Sequence, residues 1–449
     1  MSLEPTKEFL EEIKRALADK DDEFIIQNLS PMHEADISVL LDQLDSEESK
    51  HILELLDKEV GADIISNLEE DTREEFLKIF TPKELASYIE HTDSDDAADI
   101  LNEQPAKVKE EVLAQMINQE KVAHVLELLK YDEDCAGGLM AKELIKANIN
   151  WTIKQCIEEI RRQTQQVEKI LTVYVVDNEG RLLGRVSLKK IILSNDDTKV
   201  KDIFVSDLHS VQTFQSAEEV ADIMQKYDLE AVPVVSLQGK LVGRITIDDI
   251  VDVITEQAEI NQQIMSGLSE DVEEDDNIWM LSRARLPWLL IGMMGGLLAA
   301  QIMGFFEGDL ANIPAMALFV PLITATGGNV GIQSSTIIVQ TLANSSAMLN
   351  SSMSQRLFKV FLVAIINGLV IAAVVFCFNL FFSELSLAIV VSIALFSVVL
   401  LASFMGTITP LVLSRFGVNP AVASGPFITT ANDLLGLAVY FMVARSILG

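Results

Sequence analysis

Five long apolar runs occupy the end of the chain, at about 286–306, 313–342, 357–382, 385–413 and 421–448. Each is long enough to cross the ~30 Å hydrocarbon core of a bilayer. Backbone groups in hydrocarbon must find hydrogen-bond partners within the protein, so runs of this kind fold as transmembrane helices. From Arg283 to the end there are six basic residues and four acidic ones. Glu307, Asp309 and Glu384 fall in short breaks between the runs, and Asp433 alone lies inside one. A lone carboxylate at that depth is costly unless it meets a wet cavity, a partner or a cation. The bland alternative is a protonated Asp hydrogen-bonded to a neighbouring helix. Thr429, Thr430 and Asn432 stand close by in sequence and offer oxygen ligands of the kind a hard cation such as Mg2+ or Ca2+ accepts.

The rest of the chain is of opposite character. Of the 67 acids and 34 bases, 63 acids and 28 bases precede Arg283. A strongly acidic soluble part therefore precedes a membrane part. Such a surface argues against a nucleic-acid partner and suits the collection of cations. Arg283, Arg285, Arg356, Lys359 and Arg415 flank loops on one side of the runs, whereas the opposite loops at 307–312 and 383–384 carry acids and no bases. The positive-inside rule then puts the soluble part in the cytoplasm and the C-terminus outside the cell (inner) membrane. Arg445 runs against the rule and would snorkel outward. The charged N-terminus lacks the apolar core of a signal peptide. The scattered cysteines Cys135, Cys156 and Cys377 form no metal-binding spacing and fit a reducing compartment.

Residues 1–133 read as an all-α domain. Apolar residues recur at three and four, as in Ile37, Leu40, Leu41 and Leu44, and prolines stand at boundaries (Pro31, Pro82, Pro105). Ala35-Asp-Ile37, Ala62-Asp-Ile64 and Ala98-Asp-Ile100 echo one another, each expected to open a leucine-rich helix of a short superhelix of hairpins. Residues 134–198 and 199–256 repeat a different unit. Leu171-Thr-Val-Tyr-Val-Val176 and Ala231-Val-Pro-Val-Val235 are strands, followed by turns, by return strands at 182–186 and 241–246, and by helices. Helices at about 153–162 and 217–227 precede them. The repeat, with Val-Pro-Val-Val and Leu-Val-Gly-Arg-Ile-Thr-Ile-Asp-Asp, resembles a tandem pair of CBS domains. That resemblance implies a regulatory pair that can take an adenine nucleotide such as ATP, or else a purely structural one. The Ser/Thr and Asp that would hold the ribose match Thr246 and Asp249 in the second unit. The first has Ser187, with Lys190 in place of the acid. Residues 257–282 form a connector, helical to about Met265, then the acidic run Glu270-Asp-Val-Glu-Glu-Asp-Asp276. The fold class is thus multidomain: an all-α superhelical N-domain, an α+β tandem CBS pair and an α-helical transmembrane domain with five spans at 283–449.

Two membrane stretches look unfit for plain helix. Pro321-x5-Gly-Gly-Asn-Val-Gly-Ile-Gln333 is glycine-rich and polar at mid-run, while Pro410, Pro420 and Pro426 interrupt the last two runs. Backbone that leaves the helix at such depth would line a protein-covered or wet cavity, and its freed carbonyls with one carboxylate would make a cation path. Together with the Arg415-x-Gly-x-x-Pro-Ala block, Asp433 and the domain order, these motifs resemble the MgtE family of Mg2+ channels. The resemblance covers the whole chain. It implies a homodimer with its pore on the two-fold axis and a hydrated Mg2+ held by Asp433. The candidate pore set is Asp433 with Asn329, Gly328, Thr429, Asn432 and Val418. It further implies cytosolic Mg2+ sites that close the pore, matched to Glu218, Asp228, Asp249 and Asp252, with Asp248, Asp95 and Glu259 in the same set. The chain departs from the family pattern at Asn419, where Asp is common, at Gly425, which can be Asn, and at Ile260 and Asn261, where an acidic pair is expected on the connecting "plug" helix. Other functions remain open. One is a CBS-regulated transporter of a broader set of divalent cations (Co2+, Mn2+, Ca2+), and another is a non-conducting membrane sensor. An enzyme is disfavoured, because the membrane part has neither a His nor a second carboxylate beside Asp433 for acid–base work. Nor is there a Gly-x4-Gly-Lys-Ser/Thr loop for an ATP-driven pump.

Overall fold

The structure, a computed structural model, describes residues 6–163, 172–269, 272, 277–343, 353–382, 384–423 and 425–448. Leu171, Ser383 and most of the acidic run at 270–276 lie outside the described residues. The chain divides into two compact units, Met1–Ile254 and Thr255–Gly449.

The first unit opens with helices α1 (Lys7–Asp19), α2 (Asp22–Leu29), α3 (Glu34–Leu41), α4 (Ser46–Leu55), α5 (Lys58–Ser66), α6 (Glu70–Leu77), α7 (Pro82–Ile89), α8 (Ser94–Asn102), α9 (Ala106–Gln115) and α10 (Gln119–Leu128). Local sequence sets their ends. Asp45 with Glu48 and Thr81 with Glu84 form capping boxes at α4 and α7, and Pro82 occupies the first turn of α7, where no backbone donor is needed. Bonds from the Thr81 backbone and hydroxyl hold the Glu84 carboxyl down at about 2. Alternate helices stack: α3 on α5, α5 on α7, α7 on α9 and α8 on α10. Ile37, Ile64 and Ile100 are all buried in the shared core. The Ala-Asp-Ile echo therefore marks the inward stripe of stacked helices. It opens α3 but falls in the middle of α5 and α8, which corrects the expectation that it marks helix starts.

Two three-stranded sheets follow. The first joins β1 (Ile145–Asn148), β2 (Val173–Val176) and β3 (Leu182–Val186), and the second β4 (Val211–Gln212), β5 (Ala231–Val235) and β6 (Leu241–Thr246). In each, the first pair is parallel and the second antiparallel. The parallel pairing requires a crossover, supplied by α11 (Ile153–Gln163) and α13 (Ala217–Tyr227), with the short helix α12 (Leu188–Ile192) closing the first unit. Strands β1 and β4 escaped the sequence reading because they are two to four residues long with no alternation to find. The two hairpin turns bond each other: Leu182 N–H donates to Gly239 O and Leu241 N–H to Gly180 O, both at 3.0 Å. Helix α14 runs unbroken over Ile247–Ser266.

The second unit holds five helices long and apolar enough to cross a membrane. They lie in α15 (Ile278–Phe305), α17 (Val320–Ala343), α18 (Met353–Phe382), α19 (Leu385–Arg415) and α20 (Pro426–Leu448). The short α16 (Glu307–Asn312) and a 3-10 turn at Pro314–Phe319 link the first two. Helix α19 is the hub, packing on α17, α18 and α20. The core gathers Met316, Ile323, Val398, Leu437, Tyr440 and Phe441, and the Tyr440 hydroxyl donates to Met316 O at 2.9 Å.

One expectation about this unit is overturned. Residues 327–331 do not leave the helix: α17 passes straight through them, and Pro410 likewise sits inside a continuous α19. Pro321 falls in the first turn of α17, where proline is harmless. The glycines serve close approach of neighbouring helices instead. The chain leaves the α-helix instead between α19 and α20, where Pro420–Ala423 form a 3-10 turn and Gly417 and Gly425 take left-handed conformations at φ +73° and +60°.

Candidate functional site

Asp433 stands about two turns into α20. Its Oδ1 lies 3.8 Å from the place a Gly328 side chain would begin, and the Thr429 methyl lies 3.1 Å from the same place. Gly328, Thr429 and Asp433 are thus brought together where α17 and α20 meet. The Thr429 hydroxyl is engaged by its own helix, donating to Gly425 O at 3.0 Å. Asn329, next to Gly328, is exposed on the outer side of α17, as is Gln333 four residues on. Residues at that spacing share one face of a helix, so the two amides form an exposed polar stripe on the span. The same face carries the small Ala325 one turn earlier, also exposed.

Two of the expected pore residues are placed elsewhere. Asn432 is only 2% exposed and turns into the space beside Gly331. Val418 lies on the loop before α20, where its N–H donates to Leu413 O at 3.0 Å. That loop meets the end of α14. Asn419 Nδ2 donates to Asn261 Oδ1 at 3.1 Å, the backbone of Gly425 abuts Met265 O, and Gly267 abuts Pro426. Beyond them, the N–H and hydroxyl of Ser269 donate to Ala284 O at 3.0 and 2.8 Å. The residues that depart from the family pattern, Asn261, Asn419 and Gly425, are therefore the ones in contact here. Ile260 and Asn261 are half-buried, and Glu259 is exposed.

A second cluster occupies the first unit. Asp249 Oδ2 accepts from the N–H and the hydroxyl of Thr246, both at 2.9 Å, so the expected nucleotide pair also caps the start of α14. Burial pushes the Asp249 carboxyl up to about 6. Burial and then Asp249 raise Asp95 well above the usual carboxylate range, and burial with Glu143 lifts Asp93 to about 6. Asp93, Asp96 and Glu143 were missed in the sequence. The run Asp93-Ser-Asp-Asp96 looks like a solvated helix start, and only tertiary packing brings it against α14. Ser187 caps α12 the other way round, its hydroxyl oxygen accepting from Lys190 N–H at 3.3 Å.

Asp248 repels both Asp96 and Asp249 of this cluster, whereas Glu218 and Asp228 lie on another helix. Glu218 lies in the first turn of α13 and Asp228 caps its far end in a left-handed conformation, about 15 Å away along the axis. Asp252 stands one turn beyond Asp248 on α14, and burial with Asp248 raises its carboxyl. Among the described residues no three His, Cys, Asp or Glu side chains of one chain form a metal cage.

Five apolar helices with one carboxylate at depth, joined to a helical domain and a CBS pair, define a multi-pass ion-transport protein. Profiles of known families agree. The MgtE divalent cation transporter domain matches residues 320–443, the MgtE intracellular N domain 32–134, and the CBS domain 136–194 and 200–256. The magnesium transporter MgtE of Thermus thermophilus is 33% identical over 97% of this chain and 98% of its own length. That of Bacillus subtilis is 29% identical over 95% and 94%. The solved cytosolic domain of the Mg2+ channel MgtE in complex with ATP matches 54% of this chain and 99% of its own, at 33% identity and a TM-score of 0.51. The chain belongs to the MgtE family of divalent cation transporters, whose members are transporters and channels, not enzymes.

Proposed function

We propose that this chain is a Mg2+-selective channel whose pore forms between two copies and whose ion is held at Asp433. The observation that carries this reading is the placement of the one intramembrane carboxylate at the α17–α20 seam, beside Gly328 of a helix that exposes the amides of Asn329 and Gln333. A polar stripe facing lipid is unfavourable, so a second copy with a wet path between them gives it a role. Mg2+ keeps several of its waters when bound by one or two carboxylates. Paired Asp433 side chains across a two-fold axis supply the charge, and the amides of the stripe receive the hydrated ion's waters. The ion then binds without losing its shell and leaves readily. The magnesium transporters to which the chain is similar support this choice of cation.

In the same reading, Mg2+ in the cytoplasm closes the pore by neutralising acids of the first unit, with the N-terminal domains cytoplasmic and the C-terminus outside. The Asp93, Asp95, Asp249 cluster is the strongest support, because like charges held this close repel until a cation lies between them. Glu218, Asp228 and Asp252 would complete sites only with groups from elsewhere in the assembly. Thr246 and Asp249 keep the pair needed for an adenine nucleotide, and the ATP complex of the related cytosolic domain supports that role.

Mg2+ flux into liposomes carrying the full-length protein tests the pore. Asp433→Ala is expected to abolish uptake, and Asp433→Asn to lower it at least tenfold, since the amide keeps the size and loses the charge. Undiminished flux through either variant removes Asp433 from the ion path.

A further inference from the structure

The seam between α17 and α20 contains a feature that binding an ion does not explain. Asn432 is buried at 2% exposure, and neither its Oδ1 nor its Nδ2 has a hydrogen-bond partner among the described residues. A buried, unsatisfied amide is destabilising, and in a membrane span no bulk water compensates it. Its surroundings give the physical reason for its place. A side chain built on Gly331 would overlap the Asn432 amide nitrogen, and Ile428 stands 3.4 Å from the same point. Gly331 is thus a notch, and the flat amide of Asn432 fills it. On the far side, the Gly331 carbonyl presses against Gly406 of α19, so α17 cannot retreat from a larger group.

Two further notches seat the same turn of α20. Thr429 lies against Gly328, and Thr430 lies against Gly295 of α15 so closely that any side chain there would overlap it. Successive residues on a helix point about 100° apart. Three residues of one turn seated in three different notches therefore fix both the rotation of α20 and its height. Asp433 directly follows Asn432 in the chain, and its direction follows from theirs.

We propose that Asn432 and Gly331 form an interlock that positions Asp433 and thereby sets the affinity of the pore for its cation. This rests on the reading of Asp433 as the ion-holding group. Asn432 itself does not touch the ion: it acts through the orientation of its neighbour. A ligand must be held to within about 0.5 Å to bind as designed, and a single methyl group at Gly331 displaces the amide by more than that.

The test is the Mg2+ dependence of uptake by the full-length protein in liposomes, with thermal unfolding of the same preparations. Gly331→Ala is expected to raise the Mg2+ concentration for half-maximal uptake about tenfold. Gly331→Ala with Asn432→Ala restores it to within about twofold, because the methyl then enters space the amide vacated. Asn432→Ala alone, which overfills nothing, raises it about threefold by loosening the seat. Should Gly331→Ala fail to fold, this variant and the double variant carry the test. A purely structural pair would lower the folded yield and maximal rate while leaving half-saturation unchanged, and that result overturns the inference. So does a double variant that stays as impaired as Gly331→Ala. Asp433→Asn, run in parallel, separates the two readings. If it conducts normally, the pore assignment falls. If it is inactive while the interlock variants keep normal half-saturation, only the interlock falls.

Discussion

Asn329 and Asn432 look alike in the sequence, two amides in apolar runs near the same carboxylate, and the fold gives them opposite surroundings. Asn329 is exposed on the stripe with Gln333, and Asn432 is buried against Gly331. Substitution should separate them. Asn329→Leu removes a group that meets the ion's waters in the proposed pore, at a position exposed on the outside of the chain. It is expected to lower Mg2+ flux about tenfold while leaving the thermal unfolding midpoint of the full-length protein within a few degrees. Flux equal to the unmodified protein's would show that the stripe does not line the path. The exposure of a single residue was not legible in the sequence, because in a helix apolar on every side no hydrophobic face shows which way a polar group points. Asp433 was legible for the contrary reason: its charge is unfavourable on any face.

At the scale of elements, the spans and hairpins could be read from apolar run length and β-branched alternation, both local signals. The short strands β1 and β4, and the continuity of α17 through its glycines, could not. The glycines of 327–331 look like helix breakers in isolation and are helix-packing notches in context: a side chain begun on Gly327 would come within 3.1 Å of Val398, and one begun on Gly328 within 3.1 Å of Thr429. The end of α14 makes the same point. Its expected acidic pair is Ile260 and Asn261, and its contact with the loop before α20 is an amide–amide bond between Asn261 and Asn419, not a carboxylate pair awaiting a cation. A neutral bond of this kind is worth only about 0.5–1.5 kcal/mol. Backbone contact carries the rest, above all Gly425 against Met265 O. Gly425 has φ +60°, so any other side chain there is both strained and in collision with α14. Gly425→Ala should push α14 off the loop. Single-channel recording is expected to show a higher open probability at saturating cytosolic Mg2+, with unitary conductance unchanged. An unchanged open probability would mean that this contact takes no part in gating.

At the scale of the whole molecule, the proposed binding of cytosolic Mg2+ to acids of the first unit would be coupled to pH. Burial and mutual repulsion push the carboxyls of Asp93 and Asp249 up to about 6 and hold that of Asp95 well above the usual carboxylate range. A carboxyl whose folded-state pKa exceeds its unfolded value binds more protons folded than unfolded between those two values. Stability therefore falls as pH rises across that window, from about 4 through about 6, with no divalent cation present. Above it the cluster is ionised and strained, and there a cation gains most by binding. Below it, protons already occupy the carboxyls and Mg2+ must displace them. The concentration of Mg2+ that protects residues 1–254 of the full-length protein from limited proteolysis should thus be lower at pH 8 than at pH 5.5. Without Mg2+ the order reverses, and the protein resists protease better at pH 5.5. Asp95→Asn with Asp249→Asn removes two of the titrating groups, and is expected to flatten both dependences and leave the pore open at high cytosolic Mg2+. If the pH dependence survives that substitution, the cation acts at other carboxylates. If protection by Mg2+ is the same at both pH values in the unmodified protein, this cluster is not where cytosolic Mg2+ is sensed.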